Sequence, residues 1–180
     1  MISNSRVNNQ IILSSTSSQN LTNHQIMEIC LLKNKQWKFG IKSQINWFKK
    51  NIKKNDVHNL LYFNYKLIGY TALRKRSYEI DNLKKKNIYL LFDTLILDKK
   101  FRGKKIFSSL LMNFNNSIIR QMGFISFLVC NSKSVKFYKK NNWKILNKKK
   151  FEIADHPFSK IGMVFNKYNK IKKILFYFNK

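Results

Sequence analysis

Apolar residues recur with helical spacing in several stretches of the chain. The first stretch opens with Thr22-x-x-Gln25, the pattern of a capping box, and continues at helical spacing as far as Lys33. Gly123 follows another such stretch at the position of a C-terminal helix cap. The predicted helices are one that begins after Thr22, one over 43–54, one over 106–121, and a short one that Asn131 or Ser132 caps and that ends near Lys140.

Short apolar runs between these helices predict strands. Asn64 and Tyr65 lie between two of the runs and predict a tight turn. The run over 88–97 is so rich in apolar residues that we expect a buried strand there. The predicted strands cover residues 11–13, 57–64, 67–75, 88–97, 124–130, 143–153 and 162–168. The resulting order, β-α-α-β-β-β-α-β-α-β-β, is that of a mixed α/β domain.

The composition fits one globular domain of ordinary size. The chain has 180 residues, 44% of them hydrophobic, which excludes wholesale disorder. Its only two cysteines, Cys30 and Cys130, exclude a lattice of disulfides. No apolar run approaches the roughly 20 residues of a membrane span, and the polar N-terminal segment lacks the apolar core of a signal peptide. We therefore expect an intracellular, cytoplasmic protein.

The net charge of +28 arises from 36 lysines and arginines against 8 acidic residues. Such a balance is typical of nucleic-acid-binding proteins. However, lysine supplies 31 of the 36 cations, and Asn, Ile and Phe are abundant, as AT-rich codons favour. The scarcity of arginine argues against base readout, because bidentate contacts to bases favour arginine. A compositional origin and a functional basic face both stay open, and nucleic acid is the less favoured partner.

The segment 93–111 combines the features of an anion site. A buried strand ends near Leu97, a short basic loop follows, and an amphipathic helix begins near Ile106. The N-terminus of a helix directs free N–H groups and the positive end of its dipole towards such a loop. Five cations lie nearby: Lys99, Lys100, Arg102, Lys104 and Lys105. The residues alone fit either a phosphate-bearing ligand or a solvated basic loop.

Two stretches resemble motifs of the GCN5-related N-acetyltransferase (GNAT) superfamily. DKKFRGKKIF, residues 98–107, is similar to its strand-loop-helix motif, in which Arg-Gly-x-Gly precedes an apolar residue and Gly or Ala. NSKSVKFYKKNNW, residues 131–143, is similar to its second motif, an Asn followed by Phe-Tyr-Glu-Lys-x-Gly-Phe. A fainter resemblance, through DVHNLL and LIGYTALRKR, is to the aminoglycoside 2'-N-acetyltransferase branch. The resemblance implies a single mixed, mostly antiparallel sheet flanked by helices, with strands splayed around a coenzyme A cleft.

The resemblance also implies acetyl-CoA as co-substrate and no metal. Backbone amides of the loop before the central helix would hold its pyrophosphate, and its pantetheine arm would pair with a strand. The matching residues are Arg102, Gly103, Lys104, Lys105, Ile106 and Phe107 for the pyrophosphate, Leu95, Ile96 and Leu97 for the pantetheine arm, and Asn131 facing the cofactor. Lys105 and Phe107 replace small residues of the motif. The sequence leaves open whether their side chains crowd the pyrophosphate and whether the charges of Lys104 and Lys105 compensate.

Two residues are assigned to proton transfer. Tyr138 matches a tyrosine that protonates the departing CoA thiolate, and a phenol with a pKa of about 10 is protonated at neutral pH. Asp93, on the central strand, is the best candidate for the base that accepts the proton of the attacking amine. Side-chain alternation predicts that Asp93 shares a face with Leu95 and Leu97. The alternatives are a packed aromatic at Tyr138 and a carboxylate paired with a lysine at Asp93.

Two histidines are further candidates for the base. His58 enters a predicted strand, where a structural role is the competing interpretation. His156 lies in the predicted loop between the last strands, where the family shapes acceptor pockets and where a simple turn is the alternative.

The charge of the chain restricts the acceptor. With eight carboxylate side chains the protein is poorly suited to a polycation, so we expect a primary amine on a small neutral or anionic molecule, such as an amino sugar. The competing hypothesis is a catalytically inactive domain of this fold that binds RNA or an acidic partner. We place the acyltransferase domain at residues 1–168. The basic-aromatic tail, 169–180, is either a membrane-surface segment or a terminal strand.

Overall fold

The computed structural model describes residues 10–80, 83–155, 160–166 and 173–179. Within these ranges the helices are α1 (Asn23–Gln36), α2 (Ile41–Asn51), α3 (Lys105–Met122) and α4 (Ser132–Lys140). The strands are β1 (Ile11–Ser17), β2 (Val57–Phe63), β3 (Lys66–Ile80), β4 (Leu83–Leu97), β5 (Ser126–Cys130), β6 (Lys144–Ile145), β7 (Phe151–Ile153), β8 (Ile161–Phe165) and β9 (Ile174–Phe176).

One sheet contains all the strands of the described ranges. Its main path runs in the order β1-β2-β3-β4-β5-β8-β6, and β9 pairs with both β3 and β7. Only the β4–β5 and β7–β9 pairs are parallel, and the other described pairs are antiparallel. The predicted mixed, mostly antiparallel sheet flanked by helices is therefore confirmed.

Helices cover both faces of the sheet. On one face, α1 and α2 pack against β2–β4 around Ile29, Phe48 and Ile96. On the other face, α3 packs around Leu90 and Met112, and α4 adds partly buried aromatic side chains to the same cluster. Because side chains alternate along a strand, β4 supplies apolar residues to both layers, as its continuous apolar run predicts.

Several local predictions are confirmed at single residues. The Thr22 side chain accepts a hydrogen bond from the Gln25 N–H (3.1 Å), and the Gln25 side chain accepts one from the Thr22 N–H (3.0 Å), which completes the capping box before α1. Gly123 ends α3 with a φ of 72°. Asn64 and Tyr65 have φ angles of 47° and 61°, as a two-residue hairpin turn of type I′ requires.

The predicted continuous strand over 143–153 is wrong. The chain forms two short strands there, β6 and β7, with a 3-10 turn, Lys148–Lys150, between them. Asn147 interrupts the strand because its side-chain oxygen accepts a hydrogen bond from the Lys149 N–H (2.9 Å) and so caps the turn. The end of the last predicted strand, 167–168, and His156 lie outside the described residues.

The basic-aromatic tail contributes a strand to the sheet. β9 lies between β3 and β7, with the side chains of Ile174 and Phe176 buried. The ring of Phe176 stacks on that of Phe127 with 4.0 Å between centroids. The described part of the tail is thus the terminal strand that the sequence offered as one of two alternatives. Of the helices in the described ranges, none combines the length and apolar character of a membrane span.

Candidate active site

β4 and β5 lie side by side for only a short distance and then separate. Their parallel pairing is confined to Leu90 with Ser126 and Leu91 with Phe127. Beyond this point β4 stays paired with β3 as far as Leu97, but no strand among the described residues covers its other edge. Backbone N–H and C=O groups along that edge are therefore available to an extended ligand.

A bulge at Asp93 decides which side chains face which layer. Asp93 has no opposite residue in the pairing of β3 with β4, so it is the extra residue of a β-bulge. Asp93 and Thr94 both line a cavity on the α1–α2 face, whereas Leu95 and Leu97 pack on the α3 face. The prediction that Asp93 shares a face with Leu95 and Leu97 is wrong, because regular alternation does not continue through a bulge.

Asp93 lies at the edge of an aromatic-lined cavity of about 330 Å³. Besides Asp93 and Thr94, the cavity is lined by residues of α1, α2 and the segment between them, including Lys33, Trp37, Phe39 and Trp47. The Asp93 carboxylate accepts hydrogen bonds from the guanidinium of Arg74 (3.4 Å) and the hydroxyl of Thr94 (3.3 Å). The alternative interpretation was a carboxylate paired with a lysine. The ion-pair partner of Asp93 is instead Arg74, whose side chain is only 6% exposed.

Lys33 is a second buried cation beside this carboxylate. Its residue is 4% exposed, and its Nζ lies 3.4 Å from the centroid of the Trp47 ring, a cation–π contact. Desolvation lowers the pKa of Lys33 to about 8, although the nearby charge of Asp93 acts in the opposite direction. The cavity therefore contains a primary amine that ionises close to neutral pH.

Tyr138 lies on the other face of the sheet. Its ring makes edge-on contacts with Phe92 of β4 (6.2 Å between centroids) and with Trp143 (6.1 Å). Burial raises the pKa of Tyr138 to about 12, with a smaller contribution from Cys130. No hydrogen bond within the described residues engages its hydroxyl. The phenol is therefore protonated at neutral pH and free to donate.

The loop between β4 and α3 has the backbone geometry of an anion site. Gly103 has a φ of 81°, and a Cβ at this position would meet no atom within 4 Å. α3 begins at Lys105, and the first turn of a helix leaves N–H groups without intrahelical acceptors. Lys104, Lys105 and Ile106 are exposed. Backbone donors and cations therefore converge on open space before α3.

The side chains of Arg102 and Lys35 hold this loop against the end of α1. Arg102 donates from Nε to the carbonyl oxygen of Leu97 (2.7 Å) and from Nη2 to the side-chain oxygen of Gln36. Lys35 of α1 forms an ion pair with Asp98 (2.8 Å). The Arg102 guanidinium is therefore engaged within the protein, and its backbone N–H also donates to the carbonyl oxygen of Lys99 (3.2 Å), so Arg102 holds the loop in position.

Phe107 is turned away from the loop. It is 6% exposed, and its ring packs edge-on against Phe63 (5.5 Å between centroids) and Phe101 (5.2 Å). Of the two possibilities that the sequence leaves open, the structure favours the one without crowding by Phe107, because its aromatic side chain fills the core beneath α3. Lys105, the other replacement, points into solvent.

Asn131 is the N-cap of α4 and follows β5 directly. It lies across the gap that opens where β4 and β5 separate. Its Oδ1 accepts hydrogen bonds from the backbone N–H (3.1 Å) and the hydroxyl (3.0 Å) of Ser134. The residue is exposed, so capping α4 leaves its amide NH₂ facing solvent on the β5 side of the gap.

His58 has a packing role in this structure. It is fully buried, and its two ring nitrogens contact the hydroxyls of Ser18 and Tyr70, each at 2.8 Å. Desolvation lowers the pKa of His58 to about 4. It does not line the cavity that contains Asp93. Within the described ranges, no three His, Cys, Asp or Glu side chains are grouped to hold a metal ion.

No protein-family model and no curated protein sequence matches the chain. Solved structures do match it closely in fold. ElaA from Escherichia coli superposes with a TM-score of 0.59 at 16% identity, over 86% of this chain and 99% of ElaA. The GNAT family N-acetyltransferase YhbS from Escherichia coli, in complex with CoA, gives 0.64 at 11% identity, over 94% and 89%. An aminoglycoside 6'-N-acetyltransferase complexed with coenzyme A gives 0.62 at 12% identity, over 88% and 98%.

The chain has the GNAT fold. The resemblance drawn from residues 98–107 and 131–143 is therefore confirmed at the level of fold. These identities are too low to carry a substrate or a residue role from one protein to another. The resemblance to the aminoglycoside 2'-N-acetyltransferase branch gains only faint support, because the aminoglycoside enzyme among these structures is a 6'-N-acetyltransferase and several other N-acetyltransferases are about as similar.

Within the GNAT fold, the predicted residues form two groups around the gap. The edge of β4, the loop before α3 and Asn131 surround one end, and Asp93 and Tyr138 lie on opposite faces beside the point of separation. The sequence did not reveal the aromatic cavity, because its walls come from α1, α2 and β4 together. One signal was present: Lys33 occupies an otherwise apolar helical position on α1.

Proposed function

We propose that the protein is an acetyl-CoA-dependent N-acyltransferase that moves an acetyl group to a primary amine. The observation that carries the proposal is the gap between β4 and β5. A carboxylate, Asp93, borders it from the α1–α2 face, and a protonated phenol, Tyr138, borders it from the α3–α4 face. Acyl transfer from a thioester to an amine needs one group that accepts a proton and one that donates a proton.

The residues around the gap fit coenzyme A. The open space before Gly103 admits close approach of a phosphate to the backbone, and the side chain of Phe107 does not enter it. The backbone N–H groups of Gly103, Lys104, Lys105 and Ile106 would hold the pyrophosphate, aided by the start of α3. Those of Arg102 and Phe107 already donate to the carbonyl oxygens of Lys99 and Lys104. The uncovered edge formed by Leu95, Ile96 and Leu97 would pair with the pantetheine arm, and Asn131 would face it from the β5 side.

The two proton transfers of the reaction then take place on opposite faces of the sheet. An acceptor amine enters the cavity on the α1–α2 face, and its nitrogen attacks the thioester carbonyl at the gap. Asp93 accepts the proton that the nitrogen loses, directly or through water. As the carbon–sulfur bond breaks, Tyr138 donates its phenolic proton to the departing thiolate. One carbon–nitrogen bond forms, one carbon–sulfur bond breaks, and the phenol recovers its proton from solvent.

The charge around Asp93 supports a neutral or anionic acceptor. Two buried cations, Lys33 and Arg74, accompany this one carboxylate, so the cavity region carries a net positive charge. A polycation would be repelled, whereas a molecule with an amine and a phosphate or carboxylate would be attracted. An amino sugar carried on a phosphate has this chemistry, and the ring of Trp37 offers a flat surface for a sugar ring.

A comparison of acceptors tests this function. CoA release from acetyl-CoA should be stimulated by a phosphorylated amino sugar and much less by a polycationic aminoglycoside. Efficient acetylation of the aminoglycoside, with no turnover of any phosphorylated amino sugar, would reject the acceptor class while leaving the acyl transfer itself intact. Absence of transfer to any primary amine would reject the enzyme assignment.

A further inference from the structure

The acceptor cavity already contains a primary amine that belongs to the protein. Lys33 lines the same cavity as Asp93 and Thr94, the residues at which β4 leaves β5. Its Nζ rests 3.4 Å from the centroid of the Trp47 ring, and no hydrogen bond or ion pair within the described residues engages it. An acceptor molecule would have to bring an amine of this same kind to this same cavity.

Burial of Lys33 gives this amine a larger neutral, reactive fraction than an exposed lysine has. The charged groups that face it are Asp93 and Arg74, and Cys30 lies nearby with a thiol whose pKa burial raises. Desolvation outweighs the attraction of Asp93 and lowers the pKa of Lys33 to about 8. At pH 8 roughly half of Lys33 is neutral, against roughly 0.3% of an ordinary exposed lysine. Only the neutral amine has a lone pair for attack.

We propose that Lys33 is a site of self-acetylation, with acetyl-CoA bound at the gap as the donor. This inference rests on the proposed function, because it uses the same donor and the same carboxylate. The Lys33 nitrogen attacks the thioester carbonyl, a carbon–nitrogen bond forms, and the carbon–sulfur bond breaks. Asp93 or water takes the proton lost by nitrogen, and the thiolate leaves as CoA after protonation. The product is an amide, which is stable in water.

Self-acetylation changes the cavity in two ways. The amide has no charge, so Asp93 keeps Arg74 as its single buried cationic neighbour. The added acetyl group occupies part of the cavity of about 330 Å³ in which an acceptor must bind. We therefore expect acetylated protein to turn over an acceptor more slowly than unmodified protein. The modification limits activity when acetyl-CoA is abundant and acceptor is scarce.

Two acetyl donors test the proposal on the full chain. Purified protein is incubated at pH 8 either with acetyl-CoA or with the N-hydroxysuccinimide ester of acetic acid, which needs no cofactor site. Acetylation at each lysine is then followed by peptide mass spectrometry. Lys49, exposed on α2, is the matched control position. Lys33→Arg preserves a cation over Trp47 and removes the reactive amine, and Asp93→Asn preserves Lys33 while removing the carboxylate.

With acetyl-CoA we expect Lys33 to be acetylated at least about tenfold faster than Lys49, because its neutral fraction is larger and the donor is bound nearby. Asp93→Asn should slow this reaction but not the reaction with the ester. Lys33→Arg should remove the fast phase. If the protein binds acetyl-CoA and acetylates a free amine while Lys33 is modified no faster than Lys49, self-acetylation is rejected and the proposed function stands. If acetyl-CoA does not bind, both are rejected.

Discussion

Asp93 and Tyr138 lie on opposite faces of the sheet, on either side of the point at which β4 separates from β5. The bulge turns Asp93 towards α1 and α2, and the ring of Tyr138 packs against Phe92, the preceding residue of β4. The proposed base and the proposed acid, so arranged, would not compete for one proton. Each can serve its own side of a thioester held in the gap, with the acceptor on one face and the departing sulfur on the other.

Asp93→Asn should lower kcat by about 100-fold, the typical contribution of a general base, while leaving the Kd for acetyl-CoA unchanged. The amide keeps the shape of the side chain and its contact with Thr94 but cannot accept the proton of the amine. Steady-state kinetics measures the fall in kcat, and calorimetry on the same preparation checks that the Kd for acetyl-CoA is unchanged. Glu152→Gln, which alters an exposed carboxylate that is 61% accessible, is the control. Wild-type turnover in Asp93→Asn would remove this residue from its role.

Tyr138→Phe should lower kcat by about tenfold or more, again without weakening acetyl-CoA binding. The pKa of Tyr138 is raised to about 12, so the phenol stays protonated across the pH range in which most enzymes are stable. Turnover of the wild type should therefore show no decline up to about pH 10 that depends on Tyr138. Tyr65→Phe, at a residue 76% exposed, is the control. A decline near pH 9 that disappears in Tyr138→Phe would contradict the assigned pKa.

Gly103→Ala should weaken acetyl-CoA binding. The φ of 81° is strained for alanine by about 1 to 2 kcal/mol, although a Cβ would clash with nothing, so the loop should relax away from its conformation. Gly40→Ala is a matched control, because Gly40 has a φ of 85° with equally open surroundings but precedes α2. Both variants should lose stability in thermal unfolding, and Gly40→Ala should lose at least as much, because its φ of 85° and ψ of 148° lie in a region that is essentially restricted to glycine. Equal loss of affinity in both would show that backbone strain, rather than the loop, governs binding.

His58 should make the protein lose stability in mild acid. Its pKa is lowered to about 4 in the folded chain, against 6.5 for an ordinary histidine, so the unfolded chain binds a proton first as the pH falls. The stabilisation is complete above pH 6.5 and is lost progressively down to pH 4, by about 3 kcal/mol in total. Denaturant unfolding at pH 7 and pH 4.5 measures it.

His58→Gln should be less stable than the wild type at pH 7, because the buried hydroxyl of Tyr70 and the half-buried hydroxyl of Ser18 lose their contact with the ring. It should show a smaller fall in stability between the two pH values. His24→Gln, at an exposed histidine whose side chain is 81% accessible, should keep the wild-type fall. The same pH dependence in His58→Gln as in the wild type would assign the effect to other groups.

Local sequence signals predicted most of the fold. The capping box at Thr22, the hairpin turn at Asn64 and the C-cap at Gly123 depend on neighbouring residues only, and each is confirmed. The strand over 143–153 was wrong because the Asn147 side chain caps a turn of three lysines between two short stretches that contain apolar residues. A single capped turn of this kind has too weak a signal against the surrounding pattern.

The site was less predictable, because it depends on contacts between distant segments. The bulge at Asp93 leaves no mark in the apolar run of β4, yet it reverses the face on which this residue lies. Phe107 replaces a small residue of the motif, and the sequence does not indicate where its ring lies. Only the contacts with Phe63 and Phe101 show that the ring packs in the core. Lys33 was visible as a lysine at an apolar position, but its neighbours Trp47 and Asp93 come from other elements.

Binding of acetyl-CoA to the full chain, measured by titration calorimetry, tests the central claim most directly. We predict that one molecule binds per chain, with a micromolar Kd that rises with salt, since backbone amides and exposed lysines before α3 would face its phosphates. No detectable binding at millimolar acetyl-CoA would contradict the enzyme assignment. Salt-sensitive binding of RNA by the same preparation would then favour an inactive basic domain of the GNAT fold.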